Sequence, residues 1–110
     1  MSTKIIISRP SRSYNMLRGY KIFIDDRQVG KLSNGKTQEF EVMPGLHTVT
    51  AKIDWCRSQH LTIHIREGET KYLEVDTPED VEERMFYYIS FGYNKFLTLK
   101  EIYPNQQISE

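Results

Sequence analysis

Three histidines, one cysteine and two adjacent acidic pairs are the side chains that could carry chemistry in this chain. His60 and His64 fall on one side of an alternating run. Four residues at ~3.3 Å each separate them by about 13 Å, whereas one zinc ion needs its nitrogen ligands at ~2 Å. Those two therefore do not share an ion within one strand. His47 belongs to the inward set of its own run, where an imidazole bonded to a turn carbonyl is the simpler expectation. Cys56 would need a base and an orienting group to act as a nucleophile. His60 reaches it only across a bend, and no Asn or Asp is placed as a third member, so a small residue at a strand end is expected. Asp25-Asp26 and Glu82-Glu83 are adjacent acids. Carboxylates that cleave glycosides face each other across ~5–9 Å, and neighbours in sequence read instead as turn chemistry and a solvated helical turn. Gly30, Gly35, Gly45, Gly68 and Gly92 are dispersed and form no phosphate loop. The expectation is a protein that is not an enzyme, with no catalytic residues, no cofactor and no metal site.

Two groups point to binding instead. Seven of the thirteen aromatic residues lie between positions 85 and 103, which makes that segment the leading candidate for a contact surface. The candidates are Phe86, Tyr87, Tyr88, Phe91, Tyr93 and Phe96, since Tyr and Phe are enriched at interface cores. The competing expectation is that they pack over the sandwich edge, with their outer face against Met16 and Leu17. The second group is Arg9, Arg12, Arg18 and Lys21, a candidate anion patch. Residues 1–36 carry a formal charge of +6, residues 37–75 of −2 and residues 76–110 of −4, so the ends could instead meet and compensate. The net charge is zero, which argues against a mainly electrostatic nucleic-acid binder.

A chain of 110 residues makes a single domain over 1–110. Its size suffices for one core without disulfides, and the single Cys56 has no partner within the chain. The first apolar run is three residues long, too short for the ~7–15 of a signal peptide. No stretch approaches the ~18 apolar residues of a membrane span. A cytoplasmic location is the expectation from these segments.

The elements that position these residues are mostly strands. Residues 4–8 are β-branched, and Pro10 ends the run because it has no N–H for a ladder. Residues 20–24 and 27–32 alternate around Asp25-Asp26, a turn pair that tolerates positive φ. Asn34-Gly35 marks the next turn. Residues 37–42 form a further strand, and Pro44-Gly45 suits a type II turn. Residues 46–55 then alternate without a break, with His47, Val49, Ala51, Ile53 and Trp55 on one face. Residues 56–58 read as a bend, and 59–65 and 70–75 as a hairpin around Gly68. Thr77-Pro78 followed by acids reads as a short helical turn near 78–83. Val81, Met85, Tyr88 and Ile89 keep helical spacing, yet the dense aromatic run favours a strand. Residues 84–103 are expected to form an aromatic hairpin, and 104–110 a polar tail. The sum is an all-β antiparallel sandwich of eight or nine strands.

The middle of the chain, about residues 20–75, resembles the PEGA-type β-sandwich domain of bacteria. The resemblance rests on Ile22-Phe23-Ile24-Asp25-Asp26 before Val29-Gly30-Lys31-Leu32, then Val42-Met43-Pro44-Gly45-Leu46-His47-Thr48-Val49, Trp55, Gly68 and the strand ending at Val75. It implies a prealbumin-like sandwich and a non-catalytic module. The function expected is protein contact or self-association as a possible dimer. The alternative is a carbohydrate or small-ligand module that stacks its ligand on an exposed aromatic such as Trp55.

Overall fold

The computed structural model describes residues 2–12, 18–78 and 83–103. Two sheets pack face to face as a β-sandwich. One sheet has strand order β4-β1-β8-β9. Its strands are β1 (Lys4–Ser8), β4 (Thr37–Glu41), β8 (Thr70–Asp76) and β9 (Thr98–Ile102). The other has order β3-β2-β5-β6, with β7 also paired to β5. It contains β2 (Tyr20–Ile24), β3 (Arg27–Leu32), β5 (Gly45–Ile53), β6 (Cys56–Arg57) and β7 (Leu61–Ile65). All pairs are antiparallel except β1 with β8, which run parallel with Ile7 opposite Leu73. The all-β sandwich and its strand count follow the expectation from alternation.

The core is the set of inward residues at period two. Ile5, Ile7, Leu73 and Val75 come from one sheet, and Ile22, Leu32, Val49, Ala51 and Ile65 from the other, all fully buried. The turns are set locally. Asp25 and Asp26 both adopt positive φ, at 53° and 66°, the pattern of a two-residue hairpin turn whose twist matches its strands. Ser33-Asn34-Gly35-Lys36 closes with Lys36 N–H on the Ser33 carbonyl at 3.1 Å, and Gly35 supplies φ +74°. The sheets meet along one edge, where the Gln38 side chain of β4 donates to the Lys31 carbonyl of β3 at 2.8 Å.

Strand β5 is the spine of its sheet. Residues 45–49 pair with β7, and Lys52 and Ile53 pair with β6. Buried Ser58 fills the gap between the two partners. Its N–H donates to the Ala51 carbonyl at 2.9 Å, and its hydroxyl accepts from the Ala51 N–H at 3.0 Å.

Three expectations are corrected. The expected hairpin of 59–65 with 70–75 does not form: β7 pairs with β5 in one sheet and β8 with β1 and β9 in the other, so their buried residues belong to opposite walls of the core. Strand β5 stops at Ile53 rather than running to Trp55, because Asp54 turns at φ 52° and Cys56 pairs back onto Ile53. The expected aromatic hairpin over 84–103 is also replaced: Met85–Ser90 is a helix, α1, followed by a 3-10 turn at Tyr93–Lys95 and then β9. Only β9 behaves as a strand there, and it pairs with β8. Helical spacing explains the outcome. Met85, Tyr88 and Ile89 share one face, and all three join the core cluster with Phe96 and Leu97. The expected helical turn near 78–83 and the tail at 104–110 lie outside the described residues, wholly or for the most part.

Candidate functional site

The aromatic residues converge where α1, the 3-10 turn and the β5–β6 turn meet. Positive φ at Asp54 lifts Trp55 out of the sheet, and its side chain is 65% exposed. Its indole N–H donates to the carbonyl of Ile89 in the last turn of α1 at 2.7 Å. The bond ties the turn to the helix and satisfies a carbonyl that the short helix leaves free. Between them lies a cavity of about 140 Å³, lined by Ile53, Trp55, Cys56, Met85, Ile89 and Phe96 with Arg18 at its edge. Arg18 pairs with the Asp54 carboxylate, so the charges beside the cavity neutralise each other.

The six aromatic candidates divide by helix geometry. Phe86 and Phe91 stand in solvent at 87% and 85% exposure, and Tyr93 is also exposed. Tyr88 and Phe96 are buried core residues. Tyr87 lies between, edge-on to Tyr88 with ring centroids 5.1 Å apart and under the Arg84 guanidinium at 4.5 Å. The six-residue contact surface leaves out Trp55 because unbroken alternation placed it on the inward face, and the sequence names it only as a ring for the alternative ligand-stacking role. The turn propensity of Asp54 was the one signal that could have found it. Met16 and Leu17, expected to cover these aromatics, lie outside the described residues.

The four cationic candidates have separate tasks. Arg9 is buried. Its guanidinium stacks on Tyr20 at 3.6 Å from the ring centre and donates to the carbonyls of Arg18 at 2.6 Å and Leu32 at 2.9 Å. Arg12 grips both carboxylate oxygens of Asp76, at 3.2 and 2.5 Å. Arg18 is held by Asp54, and Lys21 is exposed on β2. Charge compensation between the ends of the chain is thus visible in Arg12–Asp76.

Three further groups that could carry chemistry, Cys56, His60 and His47, are held in the frame, while His64 stands exposed on β7. Burial, and then the nearby Asp54 charge, push the Cys56 thiol above its ordinary value, which favours the un-ionised thiol. His60 shares a hydrogen bond with Thr50 at 2.6 Å. His47 contacts the Asp25 carboxylate and the Met43 carbonyl, each at 2.6 Å. Among the described residues no three His, Cys, Asp or Glu side chains gather as a metal-ligand set. Two of the larger clefts are open, one polar and one of mixed lining. One of about 600 Å³ holds Arg12, Asp76, Glu74 and Lys100, whose charges pair as Arg12–Asp76 and Lys100–Glu74. The other, of about 580 Å³, is lined by Ser2, Glu41, Met43, Pro44 and Glu67 among others. No helix among the described residues is long and apolar enough to cross a membrane.

The class defined by the fold is a two-sheet β-sandwich with one end carrying an exposed aromatic cluster. Among known proteins, no family model and no curated sequence matches the chain.

Proposed function

We propose that this chain is a non-catalytic interaction module whose contact surface is the aromatic end formed by α1 and the Trp55 turn. One observation carries the reading: Phe86 and Phe91 stand almost fully in water beside a Trp55 that is 65% exposed. Large aromatics are the residues that dominate interface energetics. The helix already buries Tyr88 and half-buries Met85 and Ile89, so its outward Phe side chains add nothing to the core. The resemblance to PEGA-type domains, with its implication of a non-catalytic module, points the same way. The test compares host proteins retained by the immobilised chain with those retained by a Phe86→Ser/Phe91→Ser double variant. Both positions are solvent-exposed, so the variant should keep its fold by circular dichroism. Loss of specific partners in the variant supports the reading, and identical profiles refute it.

A second reading has its own support. Trp55 is an exposed ring with charged neighbours, Arg18 and Asp54. That is the setting in which a sugar or other polyol stacks on an aromatic face and bonds to polar groups at its rim. Titration of oligosaccharides against Trp55 fluorescence tests it. A saturable change abolished by Asp54→Ala would favour this reading, and a flat response would remove it.

A further inference from the structure

The aromatic end carries a projection and a hole of matching kind. The hole is the cavity of about 140 Å³ between Trp55 and α1, walled by Ile53, Met85, Ile89 and Phe96, with the paired Arg18 and Asp54 also lining it. An apolar cavity of about 150 Å³ is large enough to take up a benzene molecule, so this one has room for a single phenyl ring. The projection is Phe86, the most exposed of the described aromatics at 87%. At 3.6 residues per turn, Phe86 sits only about 60° around the helix axis from Ile89, whose carbonyl anchors Trp55. Projection and hole are therefore neighbours on one surface.

That adjacency selects a symmetry. A half-turn about an axis midway between a knob and a hole on the same face exchanges the two, so both contacts form at once. We propose that two copies of this chain associate about such a twofold axis, each inserting Phe86 into the cavity between Trp55 and α1 of the other copy. This rests on the reading of the aromatic end as a contact surface and names its occupant.

Area and charge agree with a second copy as that occupant. Side chains of this type bury roughly 150–250 Å² each. At their exposures of 65, 87 and 45%, Trp55, Phe86 and Tyr93 together offer roughly 400 Å². A stable interface needs about 800 Å² per partner, so the aromatics supply about half and a polar rim completes it. The charges beside the cavity cancel as Arg18–Asp54, and the chain as a whole carries no net charge. Two copies therefore meet without long-range repulsion.

Sedimentation equilibrium across a roughly hundredfold range of concentration is the test, read beside acrylamide quenching of Trp55, the only tryptophan in the chain. The wild-type chain should dimerise, and Trp55 should become less quenchable as it does. Phe86→Ala should weaken the dimer by about tenfold to a hundredfold, the usual consequence of truncating a buried aromatic anchor. Met43→Ala, at an exposed site on another loop, should leave it unchanged. A wild-type monomer with constant Trp55 quenching overturns the inference, and so does a dimer indifferent to Phe86→Ala. The contact-surface reading is judged separately. It survives either result if the Phe86→Ser/Phe91→Ser variant loses host partners, and falls too if that variant retains them all.

Discussion

His47 holds its two ring nitrogens against two acceptors at once, the Asp25 carboxylate through Nδ1 and the Met43 carbonyl through Nε2, each at 2.6 Å. Neither acceptor can donate, so both contacts are hydrogen bonds only when the ring carries both protons. The doubly protonated ring links the β2–β3 turn to the loop before β5. The Met43 carbonyl, and then Asp25, raise the His47 pKa above its usual 6.5, against the opposing effect of burial. Asp25 moves the other way. The Thr48 N–H, and then His47, hold it below 3.8.

The signs fix a pH window. A raised histidine contributes stability that is complete below about 6.5 and is lost as pH rises through its folded value. A lowered carboxylate contributes above 3.8 and loses that contribution as pH falls through its own folded value. The clamp is tightest between those limits. Urea midpoints should fall from about pH 5.5 to about pH 8.5 in the wild type, and His47→Gln should flatten that slope. Equal slopes in the two proteins would show that His47 contributes nothing to it.

Arg9 is a structural cation. Its planar fork lies on Tyr20 and serves the carbonyls of Arg18 and Leu32. An ammonium cannot reproduce that stacked, forked geometry. Arg9→Met keeps much of the apolar stem and removes the donors, leaving the buried Leu32 carbonyl and the part-buried Arg18 carbonyl under-satisfied. The expected loss is about 2–3 kcal/mol by chemical denaturation, with Arg9→Lys recovering only part of it. A neutral result for Arg9→Met would mean that water replaces the guanidinium at no cost.

How much of this was legible in the sequence depends on whether local chemistry and long-range packing agreed. They agreed on the inward faces of most strands between Lys4 and Asp76, but not on the pairing of β7 with β8, which lie in different sheets. Alternation placed Ile22, Val49, Ala51, Ile63 and Val75 inward, and all are buried. Asp25-Asp26 and Asn34-Gly35 turned where their residue types permit it. At Trp55 the alternation simply continued, while the positive φ of Asp54 and the pairing of Cys56 onto Ile53 end the strand. Such pairing depends on where the chain goes next, which periodicity does not encode. In α1 two local signals competed. Aromatic density favoured a strand, whereas Met85, Tyr88 and Ile89 favoured a helix, and packing onto the sandwich core decided for the helix. The candidate site sits on those two mis-assigned segments. Its aromatic members were therefore partly named in advance, but their arrangement was not.

Trp55 is the residue on which that arrangement turns, and its hydrogen bond separates local from global effects. Trp55→Phe keeps a large aromatic at the β5–β6 turn and removes the donor to Ile89. Helix α1 is six residues long, has no side-chain cap at its N-terminus and carries no basic residue in its last turn. Such a helix depends on tertiary contacts. Losing one hydrogen bond of about 1 kcal/mol should speed exchange of the α1 amides about fivefold. The amides of Tyr88 and Phe91, which bond to the carbonyls of Arg84 and Tyr87, report it directly. Those of β1 and β8 in the opposite sheet should not change, because their ladder does not involve the helix. A uniform increase across both sheets would make Trp55 part of the global folding unit. No change in α1 would show that core contacts of Tyr88 and Ile89 hold the helix without the indole.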